Sequence, residues 1–151
     1  MAPKWLAVAG ACTALITSGC GSDGPPTYHQ ADAKVPACAH AGKAIALPHG
    51  FPASFPFPPH TALTSHTRSF GAIIVEGIVP ASSFDDAQSF FTKKLPDAGY
   101  TLSEQDAEPP REAEARYSGK GYEGGWRLRL IPGCPGAFAL QASAAPRPTK
   151  S

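Results

Sequence analysis

The stretch Gly71–Tyr100, GAIIVEGIVPASSFDDAQSFFTKKLPDAGY, decides how the rest of the chain is read. Ala72–Val79 is rich in β-branched residues, with Ile73, Val75 and Val79 on one alternating set and Ile74 and Ile78 on the other. Apolar residues on both sets predict a central strand covered on both faces or nearly so, with Glu76 turned to an edge or to solvent. Pro80 ends the run. Ser82 or Ser83 can then cap a helix over Ser83–Leu95, with Asp85 and Asp86 complementing the positive end of its dipole. Phe84, Ala87, Phe91 and Leu95 fall on one stripe flanked by Phe90, while Asp85, Gln88, Ser89 and Thr92 face away. Pro96 weakens the last turn, and Gly99 can take a left-handed stop. A helix with one apolar stripe needs a sheet to lie on. The expected fold class is therefore α+β: two layers, with one amphipathic helix packed on a four- to five-stranded, mainly antiparallel sheet.

Downstream, Tyr100–Gln105 begins a strand and Asp106–Pro110 reads as an acidic turn. Arg111–Tyr117 and Trp126–Ile131 both alternate and form a hairpin around a Gly-rich loop, Ser118–Gly125. One register pairs Glu114 with Arg127 and Glu112 with Arg129; a register shifted by two pairs Tyr117 with Trp126. Both keep the faces consistent, so the pattern leaves the choice open. Ala137–Ala142 is the last strand, and residues 144–151 form a frayed tail.

Upstream, Thr61–Thr67 is a candidate first strand. Before it lies Pro48–Pro59, whose five prolines exclude helix and central strand. Its Phe51, Phe55 and Phe57 either dock in a partner's aromatic groove or pack over one edge of the sheet. The second reading is favoured, because three exposed phenylalanines would make an unusual apolar patch. The domain spans residues 37–143, with residues 48–59 as its Pro/Phe-rich lead-in. Residues 20–36 hold almost no apolar content and read as a flexible tether.

The N-terminus supplies an address. Lys4 precedes an apolar run, Trp5–Ile16, too short to span a bilayer stably, and Thr17-Ser18-Gly19-Cys20 follows. This pattern resembles the lipobox of bacterial lipoproteins, in which cleavage occurs before a cysteine that has received diacylglycerol. Ser18 and Gly19 fit, whereas Thr17 stands where the pattern prefers Leu; an ordinary secretory signal cut at the same point is the alternative. The resemblance implies a signal peptide over residues 1–19, lipidation (palmitate and its like) of Cys20 and a place on the extracytoplasmic face of the cell membrane. Cysteine counting agrees. Cys12 leaves with the signal; if Cys20 is acylated, Cys38 and Cys134 remain as an even pair in an oxidising compartment, whereas without acylation an odd thiol is left over. A bridge between them would close nearly the whole domain, worth about 4–5 kcal/mol by loop entropy.

The order of Phe-Pro-x-Pro-Pro, strand, Gly, strand, helix, Leu-x-x-Ala-Gly-Tyr and then three strands resembles small lipid-anchored envelope proteins of bacteria, especially actinobacteria. The resemblance covers roughly residues 48–142. It implies a fold and a location, and no catalytic residue.

Composition narrows function mainly by exclusion. The chain has 151 residues, 17% of them charged, with 15 Gly and 17 Pro. Without Lys4 the basic and acidic residues balance at 12 each, which leaves no electrostatic footprint for nucleic acid. Gly119-Lys-Gly121-Tyr-Glu-Gly124 matches a dinucleotide fingerprint in form, but a strand follows it where a helix is required. His29, His40, His49, His60 and His66 have no metal-ligand spacing, so no metal and no cofactor is expected. Glu104, Asp106, Glu108, Glu112 and Glu114 could supply a carboxylate pair for glycoside chemistry, although an acidic turn and an exposed strand face account for them. The leading expectation is a non-enzymatic, lipid-anchored envelope protein that binds an envelope protein or glycan, with Tyr122, Arg127 and Arg129 as the candidate contact residues. A small envelope hydrolase using surface carboxylates is the alternative.

Overall fold

A computed structural model describes residues 27–148. The proposed signal segment and Cys20 lie outside the described residues. The chain order is β1 (Ala62–Ser69), β2 (Ala72–Pro80), α1 (Phe84–Asp97), β3 (Thr101–Glu108), β4 (Glu112–Gly119), β5 (Tyr122–Leu130) and β6 (Ala137–Pro146), preceded by two short 3-10 turns, Gln30–Asp32 and Ala37–Ala39. The strands form one antiparallel sheet in the order β1-β2-β6-β5-β4-β3. The α+β expectation holds, but the sheet has six strands rather than four to five. Both edge strands are weakly patterned. β3 has no buried residue, and in β1 only Ala62 and Leu63 are buried, so hydrogen-bonded partners rather than an apolar alternation define them.

The helix forms where its caps dictate. Ser83 is extended, and its side chain accepts from the Asp86 N–H at 3.1 Å. At the other end Gly99 sits at φ +87°, the Gly99 N–H reaches Pro96 O and the Tyr100 N–H reaches Leu95 O. This is a Schellman stop at the expected Gly99, with the helix running to Asp97, two residues past Leu95, and Pro96 inside the last turn. The helix carries the chain from the end of β2 across the sheet to β3 at the far edge.

Phe84, Ala87, Phe91 and Leu95 face the sheet and are buried. Phe91 stacks on Trp126 with ring centroids 5.0 Å apart, and Phe84 meets Phe138 edge-on. One helix does not cover six strands. The Pro/Phe-rich segment completes the second layer: Phe51, Phe55 and Phe57 are all buried, and Phe55 touches Phe91, Tyr100 and Tyr117. Tyr117 lies opposite Gly124, whose lack of a side chain leaves room for the phenol to donate to Ser143 O on β6 at 2.7 Å. A Cβ at position 124 would meet that carbonyl oxygen at 1.8 Å.

The disulfide forms between Cys38 and Cys134, 96 residues apart, and pins the segment ahead of the lead-in to the β5–β6 turn. The described part of the expected tether, residues 27–36, lies along the domain. The Tyr28 hydroxyl donates to Ile45 O and accepts from the Leu63 N–H, and its ring packs on Phe57. The Lys34 N–H on His60 O, the Gln30 amide on Ala44 O and the Asp32 carbonyl beside the His60 ring add to that attachment. The last strand likewise runs through Pro146, four residues beyond its expected end, because β5 offers it a ladder partner as far as Tyr122.

Candidate functional site

Among the described residues no second layer covers the other face of the sheet. Alternation settles what stands on it. In β5, Trp126 and Leu128 go to the core, and Arg127 and Arg129 to the open side; in β4, Ala113, Ala115 and Tyr117 go to the core, and Glu112, Glu114 and Arg116 to the open side. β2 and β6 add Glu76, Gln141 and Ser143. Ile74 and Ile78 are only half-buried there, so β2 is covered on one face and not on two.

The β4–β5 register is the one that pairs Glu114 with Arg127 and Glu112 with Arg129. Cross-strand charge and the Tyr117–Gly124 fit both favour it. Arg127 Nε donates to Glu114 Oε2 at 2.6 Å and lies 3.7 Å from Glu112 Oε1, while Arg129 donates to Glu112. Further along, Arg116 meets Glu104 at 3.5 Å. Glu76 accepts from Ser65 at 2.8 Å and from Gln141 at 3.4 Å.

Between these groups the small residues Gly125, Ala139 and Ser143 leave the floor low. A recess of about 360 Å³ is lined by Glu104, Glu114, Arg116, Arg127, Gln141 and Ser143. A second, about 350 Å³, shares Arg127 and Gln141 and extends to Glu76 and Ile78. A third, about 370 Å³, shares Arg116, Gly125 and Ser143 and extends to Ser118 and Glu123. Shared residues join the three into one polar trough across the open face.

Of the candidate contact residues, Arg127 and Arg129 line this trough and Tyr122 does not. Five positions separate Tyr122 from Arg127 on one strand, an odd number, so their side chains leave opposite faces. Tyr122 packs against the core near Tyr100. The segment read as a loop over Ser118–Gly125 is mostly strand, closed by a two-residue turn at Lys120-Gly121 with both φ positive. The dinucleotide fingerprint therefore falls on a hairpin, with no helix N-terminus after it. Glu76, Gln141 and Ser143 were missed as site residues. The one charged residue inside the otherwise apolar β2 run was the signal that could have marked the face as open.

Two of the acidic candidates, Glu104 and Glu114, line the same recess. Glu104 sits in a bulge of β3 at φ +47°, which re-aims its side chain toward the trough. Each is engaged by an arginine, Glu104 by Arg116 and Glu114 by Arg127. Among the described residues no three His, Cys, Asp or Glu side chains converge as a metal site. No protein-family model, no curated protein and no solved structure matches the chain.

Proposed function

We propose that this chain is a lipid-anchored protein of the cell envelope, held at the extracytoplasmic face of the membrane through Cys20, whose domain binds a polar envelope ligand, glycan or protein, without catalysing a reaction. The observation that carries the binding reading is the uncovered sheet face with its continuous trough. A six-stranded sheet whose second face holds a row of oriented guanidinium, carboxylate and amide groups over a floor of small residues is a preformed recognition surface. The Cys38–Cys134 bridge supports export, since such bonds persist in oxidising compartments.

Two measurements test it. Labelled palmitate fed to the cells is incorporated by the native chain and not by Cys20→Ala; incorporation by both removes the anchor. A photo-crosslinking amino acid at Gln141 in living cells yields a discrete adduct that Arg127→Ala weakens, whereas the same probe at Asp85, on the helix side, yields none. Equal adducts from both positions remove the trough as the binding surface.

A second reading, a small envelope hydrolase, draws on Glu104 and Glu114 lining one recess. It requires the purified chain to release sugars from envelope glycan and Glu114→Gln to abolish that release.

A further inference from the structure

The sheet has two chemically different ends. β1 and β2 are joined at Phe70-Gly71, β4 and β5 at Lys120-Gly121, and the ladder places both turns at the end where β6 finishes and α1 stops. The Arg147 N–H bonds to Gly121 O, and Lys120 lies against Gly99. Among the described residues this end gathers Arg68, Lys93, Lys94, Lys120 and Arg147 against Asp97 and Glu123, which pair with Lys94 and Arg147, while Arg68 donates to His49 O. The opposite end carries Asp85 and Asp86 at the start of the helix, and Glu108 together with Arg111 at the β3–β4 turn, so it lacks that basic excess.

The two turns share one geometry and differ in one residue. Both have positive φ at their two central positions: +48° and +81° at Phe70-Gly71, +50° and +80° at Lys120-Gly121. Such turns favour Asn, Asp or Gly at the first position, and a bulky aromatic residue there is a strained outlier. Phe70 is also 107% exposed, while the other seven phenylalanines are buried or half-buried. Strain and exposure together on one aromatic side chain are unexplained by anything within the domain, and strain of this kind collects at contact sites.

We propose that this end of the sheet rests on an anionic lipid surface, with the Phe70 ring at headgroup depth and Arg68, Lys120 and Arg147 against the headgroups. An aromatic residue amid cations is the chemistry of the membrane interface. Chain length agrees, and here the proposal rests on the lipid anchor at Cys20. Tyr28 is tied to Leu63, seven residues along β1 from Phe70, or about 23 Å. The stretch from residue 20 to residue 27 spans up to about 24 Å when extended. An anchor at residue 20 can therefore lie in the same plane as the Phe70 tip. The docked domain would then stand upright, its open trough clear of the bilayer.

The full chain is reconstituted into phosphatidylglycerol vesicles whose acyl chains carry bromine, which quenches indoles at lipid depth. The fluorescence added by Phe70→Trp is lost in these vesicles and kept in brominated phosphatidylcholine, while that added by Asp85→Trp is kept in both. Phe70→Asn, which suits the turn, raises the melting temperature, so loss of the aromatic ring does not unfold the domain. A chain that floats with the vesicles while Phe70→Trp stays unquenched overturns the lipid-facing tip and leaves the anchor standing. A chain that does not float overturns both, and equal quenching of Phe70→Trp in the two lipids overturns the charge argument on which the proposal stands.

Discussion

The covered and the open faces of the sheet are made by alternate residues of the same strands, and they do different work. On β5, Trp126 lies under Phe91 in the core, and its neighbour Arg127 stands in the trough with Glu114. Apolar area removed from water contributes about 25 cal/mol per Å², so stability collects on the covered face. Exposed ion pairs contribute about 0–1 kcal/mol each, so the open face is free to change without unfolding the protein. One face holds the domain together, which leaves the other available for the proposed binding.

Cutting the disulfide is the largest test of that division. Cys38→Ser with Cys134→Ser frees the segment that brings Phe51, Phe55 and Phe57 onto the sheet, and is expected to cost about 4–5 kcal/mol in denaturant unfolding. The next contrast sets adjacent layers against each other. Phe91→Ala is expected to cost about 3–5 kcal/mol, whereas Arg127→Ala costs under about 1 kcal/mol while it weakens crosslinking from Gln141. Comparable losses from both would mean that the trough is structural.

A further small effect is expected at Tyr117, where a polar group sits on the dry side. Burial pushes its phenol far above the ordinary value near 10, and Tyr100 adds to this; burial also raises Tyr28 and Tyr100. The folded state therefore keeps protons that the unfolded chain releases. The corresponding stability is fully present below about pH 10 and is lost as pH rises beyond it. Tyr117→Phe removes the bond to Ser143, costs about 1 kcal/mol at neutral pH and makes the alkaline fall in stability shallower.

The local sequence was legible where one residue settles one local choice. Ser83 caps, Gly99 stops, and the stripe from Phe84 to Leu95 points at the sheet, because each rests on backbone geometry or a 3.6-residue period. The cysteine pair was legible by elimination. Membership of the sheet was harder to read: Thr61–Thr67 and Tyr100–Gln105 read as strands, but β1 and β3 expose most of their side chains and show no apolar alternation to place them in it. The run of glycines over residues 119–125 reads as a loop by composition, yet Gly124 serves Tyr117 from inside a strand. Mistaking that strand for a loop is what put Tyr122 beside Arg127 and Arg129.

By itself the amino-acid order determined one helix, alternating strands, a bridging pair of cysteines and a phenylalanine-rich segment in need of cover, since periodicity, capping and counting act over short range. Only the tertiary structure decided that β6 enters between β2 and β5, that the proline-rich segment shares one face with the helix, and that no other described segment covers the second face. Those outcomes depend on which strands meet across long sequence separations, and one residue of register is enough to exchange the two faces.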